Sequence, residues 1–462
     1  MKKITLLLLL ISAVAVAQLP RIKVSENKRF LMTEEGKPFF YMADTGWELF
    51  HALDESEADW YFKTRAEQGF NVIQAVALAE LDGINTPNAI GELPFRNLEK
   101  MRPNPQYFKH VKKLIELADA RGLYIALLPT WGDKLYKNSW GTGPEIFNKE
   151  NAYEYGKWLG LWFRSNDNII WVLGGDRNPR EGTEDVEVWR AMQKGLQEGL
   201  GLFETGIYTF HPQPASPGGS SNWFHNDEWL NFNMHQTGHC TDEPAYPKIR
   251  HDYNLKPVKP VLDGEPLYED HPICFNAKER GYSMDRDIRR IMYSNVFVGA
   301  CGQTYGCHDV WQMFRKGQEG VNGPLRPWKE ALEMPMATQI KHLKNLMLSR
   351  PYFDRIPDQG LIEGEQVDGN DYVTATRDDS GTYAFIYFPE GKTKNINTRN
   401  LKAEKLNIWW YDPRTGASFV IGQMQNFGSF SAVPPSSGKG NDWVLVIDDA
   451  SKGYPKPGTV AY

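Results

Sequence analysis

Short β-branched and aromatic runs alternate with helix-patterned segments eight times along this chain, and few folds accept that rhythm. The strand-like runs cover residues 39–44, 70–78, 123–131, 169–173, 206–212, 231–239, 259–266 and 300–306. Between the first two, Asp54 with Glu57 three residues on, and Gly69 as a stop, delimit a helix. Another opens at Pro105 and closes at Gly122, with Phe108, Val111, Leu114, Ile115 and Ala118 at helical spacing. Residues 151–165, 285–299 and 327–349 read as further helices. Parallel strands each followed by a helix predict a (β/α)8 barrel, the TIM barrel. The alternative is a doubly wound open sheet. It usually carries a glycine-rich phosphate loop after its first strand, and ADTGW is not one.

The pattern changes near Pro351. Residues 351–462 hold short β-rich runs separated by turn signals such as Asp379-Ser380-Gly381 and Pro413-Arg414-Thr415-Gly416. They predict a small antiparallel β-sandwich, expected to cover the barrel rather than to bind sugar. The barrel is expected over 18–350. A length of 462 residues suits two such domains. Residues 1–17 read as a secretory signal peptide: Met1-Lys2-Lys3, then an apolar run to Val16, then a small-residue cleavage site. The expectation is an exported bacterial protein, periplasmic or extracellular, with no membrane contact once the signal is removed.

The net charge is −6 and no basic run occurs, so nucleic acid is not an expected partner. The four cysteines, Cys240, Cys274, Cys301 and Cys307, are too few for a disulfide scaffold. Cys301 and Cys307 are near enough in sequence to close a small loop, and the pairing stays open. Without CxxC spacing or a tight ligand cluster, neither a metal site nor a cofactor is expected. The oligomeric state is not encoded legibly; a monomer is the default.

In such a barrel the chemistry gathers at the C-terminal ends of the strands. Reading those positions in order gives Asp44 and Trp47, then Gln74, then Trp131 with Asp133 just beyond. The fourth run, IIWVLGGDRNP, delivers Asp176 and Arg177. Then come His211, His235 and Gln236, Glu265 in LDGEP, and Gln303, Tyr305 and His308. A lone Asp176 could merely cap a turn. Paired with Glu265, each preceded by glycine on opposite strands, it reads as one of two catalytic carboxylates. Glycoside hydrolysis needs such a pair: one protonated, to release the leaving oxygen, and one ionised, as nucleophile or base. Asp44, Trp47, Gln74, Trp131, Arg177, His211, His235, Gln236, Tyr305 and His308 are the expected substrate-binding set. The tryptophans would stack on sugar faces, and the aromatic share of 13% accords with that.

The stretches YMADTGWELFH, WVLGGDRNP and VLDGEP, with the aromatic β-rich tail, resemble the glycoside hydrolase family 140 apiosidases. The resemblance implies a secreted bacterial enzyme that removes apiose from rhamnogalacturonan II side chains, a pectic substrate. It implies Asp176 as acid/base and Glu265 as nucleophile. It also implies a neighbouring galacturonate, whose carboxylate Arg177 or the histidines would meet. The competing readings are an endo-glycanase of the cellulase or mannanase type on the same fold, and a non-catalytic carbohydrate-binding or adhesion protein.

Overall fold

The computed structural model describes residues 18–201 and 206–460; the signal-peptide reading of residues 1–17 lies outside the described residues. Eight parallel strands appear where the apolar runs predict them: β1 Tyr41–Thr45, β2 Val72–Val76, β3 Tyr124–Leu128, β4 Ile169–Gly174, β5 Tyr208–His211, β6 Asn233–Gln236, β7 Val261–Glu265 and β8 Gly302–Tyr305. Every residue in them is buried, inside the barrel or beneath the helices, so the strands show no exposed polar face, and their polar residues are buried with the apolar ones. Hydrogen bonding follows the order β5-β4-β3-β2-β1-β8, with β6-β7 paired separately. Two backbone bonds bridge the gaps: Asn231 N–H donates to Tyr208 O at 3.0 Å, and Cys301 N–H to Val261 O at 3.0 Å. The sheet thereby closes into the TIM barrel.

The outer layer comprises α1 Glu55–Gln68, α2 Pro105–Ala120, α3 Lys149–Phe163, α4 Asp185–Leu200, α5 Tyr246–Tyr253, α6 Asp285–Phe297 and α7 Pro335–Leu348. Asp54 accepts the Glu57 N–H at 2.9 Å, and Gly69 ends α1 in the left-handed conformation, as the sequence signals predict. Helix α4 lies in a segment where the sequence suggests none. Its glycines have a packing purpose. A Cβ on Gly195 would stand 2.1 Å from Tyr153 O, and one on Gly199 2.2 Å from Lys157 O. Gly156 and Gly160 of α3 answer them, with Cβ positions 2.3 Å from Met192 O and 2.2 Å from Leu196 O. The two helices touch backbone to backbone. Gly195→Ala is accordingly expected to lower stability by about 1–3 kcal/mol, the usual range for overpacking, as read from chemical denaturation.

The C-terminal sandwich opposes a six-stranded antiparallel sheet, running from Arg355–Pro357 to Trp443–Asp449, with a two-stranded one. Its own core includes Ile386, Phe388, Leu406, Trp410 and Leu445. The opposite face packs on the barrel helices. Tyr387 stacks on Tyr293 of α6 with ring centroids 5.0 Å apart, and Arg289 of α6 clasps Asp442 through bonds of 2.8 and 2.7 Å. Arg350 makes the same two-pronged contact with Asp448, both bonds 2.8 Å. A disulfide joins Cys240 to Cys274, whereas Cys301 and Cys307 are buried free thiols, so the small-loop pairing of the last two does not form. Among the described residues, no helix is long and apolar enough to cross a membrane.

Candidate active site

Strand β4 leaves the barrel through three successive left-handed residues: Gly174 at φ +88°, Gly175 at +114° and Asp176 at +52°. The first two positions admit only glycine. A Cβ on Gly174 would stand 2.3 Å from His211 O, and one on Gly175 2.9 Å from both Gly132 N and the Trp131 ring. Aspartate is among the few residues that tolerate the third. The turn is pinned from both sides: Gly175 N–H donates to His211 O, and Gly132 N–H to Gly175 O, each at 2.9 Å. So GGD is a backbone device that turns the Asp176 carboxyl into the barrel mouth, not a cap for the next helix.

Opposite it, Glu265 is the last residue of β7. A register shift in the β6–β7 pairing lies between His235 and Gln236, so Gln236 partners Glu265 while His235 partners Asp263. The bulge breaks the regular side-chain alternation at this end of the strands. His211, the last residue of β5, stands between the two acids. Its Nδ1 accepts the Asp176 N–H at 3.3 Å, which leaves the ring proton on Nε2. Nε2 lies 3.0 Å from Glu265 Oε2, off the line of a straight hydrogen bond. Tyr268 donates to Glu265 Oε1 at 2.6 Å and itself receives the Trp47 indole N–H at 3.0 Å. His239 Nε2 stands 3.4 Å from the same Oε1.

These surroundings drive the two acids apart. Burial and the nearby Glu265 charge raise Asp176 to about 6, against the pull of the Trp140 indole and Arg177. Burial also opposes ionisation of Glu265, but His211 and His239 outweigh it and hold that carboxyl far below the usual range. One carboxyl keeps its proton in mildly acidic solution and the other does not. Acid and base assignments in glycosidases arise from such a split.

Several residues expected at the site do line it. Trp47 and Trp131 pack 5.1 Å apart and flank His211 at 5.4 and 5.8 Å. Trp131 Nε1 and Gln236 Oε1 are buried without a protein partner among the described residues, so each keeps unmet hydrogen-bonding capacity beside the site. His308 also belongs to this wall, edge-on to His271 at 4.6 Å.

Others are corrected by the geometry. Asp44 is fully buried and points at α1, where Arg65 Nε reaches it at 2.6 Å and Tyr61 donates to it; it is no sugar ligand. Tyr305 donates to Glu269 at 2.8 Å, and that carboxylate also accepts the N–H of Met336 in the first turn of α7, away from the mouth. His235 faces Asp252 of α5 at 3.0 Å. Gln74 is a floor strut, donating to Gly264 O at 2.8 Å beneath the nucleophile candidate. Arg177 does not await a uronate. Its guanidinium is occupied by the carbonyls of Tyr136, Lys137 and Asp176 at 3.1, 2.6 and 2.6 Å. Nor do the deeper histidines supply a cation. Burial, with neighbouring imidazoles, lowers His271 to about 2 and His308 to about 4, so both are neutral at working pH.

Sequence reasoning missed Trp140, Tyr268, His239 and His271. Tyr268 and His271 follow Glu265 by three and six residues, in the loop where strand seven opens. His239 closes the predicted sixth run, three residues beyond Gln236, and its position was within reach. Trp140 had no local signal; it arrives on a loop after β3, and its Nε1 donates to Asp176 Oδ2 at 2.8 Å. Among the described residues, no group of three or more His, Cys, Asp or Glu is placed to hold a metal ion.

Comparison with known proteins agrees with this layout. Residues 25–354 match the family model described as apiosidase-like, catalytic domain. Residues 356–448 match one described as "Putative collagen-binding domain of a collagenase". A solved glycoside hydrolase is 32% identical, with a TM-score of 0.83 and coverage of 94% of this chain and 98% of that one. A glycoside hydrolase of family 5 from Bacteroides vulgatus ATCC 8482 is 31% identical, with a TM-score of 0.85 and 96% of each chain covered. No curated protein matches. On the family match over most of its length, and on these two relatives, the chain is a glycoside hydrolase and belongs to the apiosidase-like family.

Proposed function

We propose that this enzyme is a family 140 apiosidase that releases apiose from rhamnogalacturonan II with retention of configuration. Asp176 is the general acid and Glu265 the nucleophile. The observation that carries the assignment is the opposed pair itself: one carboxyl held protonated and one held ionised, tied together through His211. Retention is favoured by the direction of the Glu265 shift, which keeps that carboxyl ionised. A base that activates water works best with a pKa near the working pH, and Glu265 is held far below it. A nucleophile has no such need, since it must only be ionised.

The reaction then runs in two steps. Asp176 protonates the glycosidic oxygen while Glu265 attacks the anomeric carbon, giving a glycosyl ester and a free aglycone. Asp176, now ionised, takes a proton from water, which displaces Glu265. Tyr268 and His239 steady the carboxylate before attack and as it leaves. Trp131 Nε1 and Gln236 Oε1 are placed to read hydroxyls of the bound sugar. The neutral His271 and His308 suit an uncharged glycone such as apiose better than a uronate.

The deciding experiment is chromatography of the sugars released from purified rhamnogalacturonan II by wild type, Asp176→Ala and Glu265→Gln. Free apiose from wild type alone supports substrate and residues together; no apiose from wild type sinks the substrate. Proton NMR of the first-formed anomer tests retention.

The pH dependence follows with its sign. Activity requires protonated Asp176, so kcat/KM falls as pH rises through about 6. Glu265 stays ionised well below that, so the acidic limb lies far lower and the profile is broad on the acid side. The two limbs belong to the coupled pair. A basic limb near 8 would contradict the assignment.

Export is part of the proposal. The basic and apolar character of residues 1–17 supports it, as does the Cys240–Cys274 bridge, which persists in oxidising compartments. N-terminal sequencing of the protein recovered from a native host, starting at Gln18, would test it.

A further inference from the structure

We propose, on the carboxylate assignment above, that Trp140 is a positioning residue for the proton donor and that its exposed ring is the platform for the leaving sugar. The geometry is specific. The Trp140 indole N–H donates to Asp176 Oδ2 at 2.8 Å, and Arg177 Nη1 reaches the same oxygen at 3.2 Å. The Asp176 carboxyl is thereby oriented by two donors on one oxygen, which leaves Oδ1 to carry the proton. The Arg177 guanidinium also lies 5.1 Å from the Trp140 ring, which supports the ring. The Trp140 side of the arrangement is open, because the residue is 48% exposed while Trp47 and Trp131 are each 2% exposed.

The chemistry identifies the occupant. The oxygen that Asp176 protonates is the bond between the two sugars, so the leaving sugar must lie beside the carboxyl on its outer side. Trp140 is the aromatic surface there. Its ring offers a flat apolar face to the C–H face of a sugar, while its N–H meets the carboxylate that forms when the proton departs. Hydrogen bonding to the charged form favours that form, so Trp140 acidifies Asp176. The other groups that face Asp176 are Glu265 from β7, His211 from β5, Arg177 from its own turn, Tyr136 on the loop after β3, and Glu80 on the loop after β2. None of them is altered in the variants below.

Two substitutions separate the contributions. Trp140→Phe keeps a ring and removes the N–H; Trp140→Ala removes both. With purified rhamnogalacturonan II, Trp140→Phe is expected to move the basic limb of kcat/KM upward by about one pH unit and to leave KM near wild type. Trp140→Ala is expected to add a rise in KM of about tenfold. The Asp176 proton is also read without substrate, by the pH dependence of carbodiimide coupling at Asp176 located by mass spectrometry. The same upward shift is expected there. A coupling profile and basic limb unmoved in Trp140→Phe would overturn the positioning role, and an unmoved KM in Trp140→Ala would overturn the platform. If wild type releases no apiose, the substrate reading fails, and the coupling profile alone upholds or overturns the proposal.

Discussion

Glu265→Gln is expected to reduce kcat by about 10⁴-fold or more, equivalent to ~5.5 kcal/mol of lost transition-state stabilisation. The substitution is nearly isosteric, so Tyr268 and His211 keep a partner and the fold should not change. What disappears is the negative charge that, in the proposed mechanism, attacks the anomeric carbon. Asp176→Ala should behave differently. Its loss should fall hardest on substrates with poor leaving groups, since only these need a proton at the departing oxygen. Azide separates the roles. In Glu265→Ala it should occupy the vacated space and yield a glycosyl azide of inverted configuration. In Asp176→Ala it should intercept the glycosyl ester and yield a retained one. An enzyme that keeps near-wild-type activity without Glu265 would refute the assignment.

Arg289→Ala is expected to destabilise the protein by about 3–5 kcal/mol, because it strands a buried carboxylate. Arg289 and Asp442 have side chains only 1% and 3% exposed, and among the described residues Asp442 keeps one further donor, Tyr387 at 3.1 Å. The same substitution frees Gln339 and Asp285, which Arg289 Nη1 holds at 2.6 and 2.9 Å. The double variant Arg289→Met/Asp442→Leu removes both charges and should recover most of the loss. Urea titration followed by intrinsic fluorescence would measure both. A loss under about 1 kcal/mol for Arg289→Ala would mean that the Arg289–Asp442 pair adds little to the contact between barrel and sandwich.

The barrel was legible because burial on both faces makes most of the strands largely apolar runs, and their alternation with helical patterns over eight repeats favours a closed barrel. Helix α4 was not legible, since Gly195, Gly199 and Gly201 read as breakers in a linear scan. Gly195 and Gly199 serve instead as contact points against α3, which only the folded chain reveals, and Gly201 caps the helix end. The two carboxylates were legible through their strand-end positions and the glycines before them. Their partners divide by a simple cause. In a barrel strand, successive side chains point alternately inward and toward the helices, and the strand end alone does not tell which. Asp44, His235 and Tyr305 face the helices, whereas His211 and Glu265 face the mouth. Arg177 showed its charge but not the carbonyls that occupy it. Trp140 is far from Asp176 in sequence, and no periodicity links them.

The left-handed exit of β4 bears on how long an acid this site can use. With Gly174, Gly175 and Asp176 all at positive φ, the main chain itself turns at the barrel mouth before the side chain begins. Reach is therefore divided between backbone and carboxyl. A barrel with a straighter exit would need a longer acid to cover the same gap, and this one matches a bent exit to the shortest acid available. The two lengths form a single dimension of the site, and neither can be exchanged without the other.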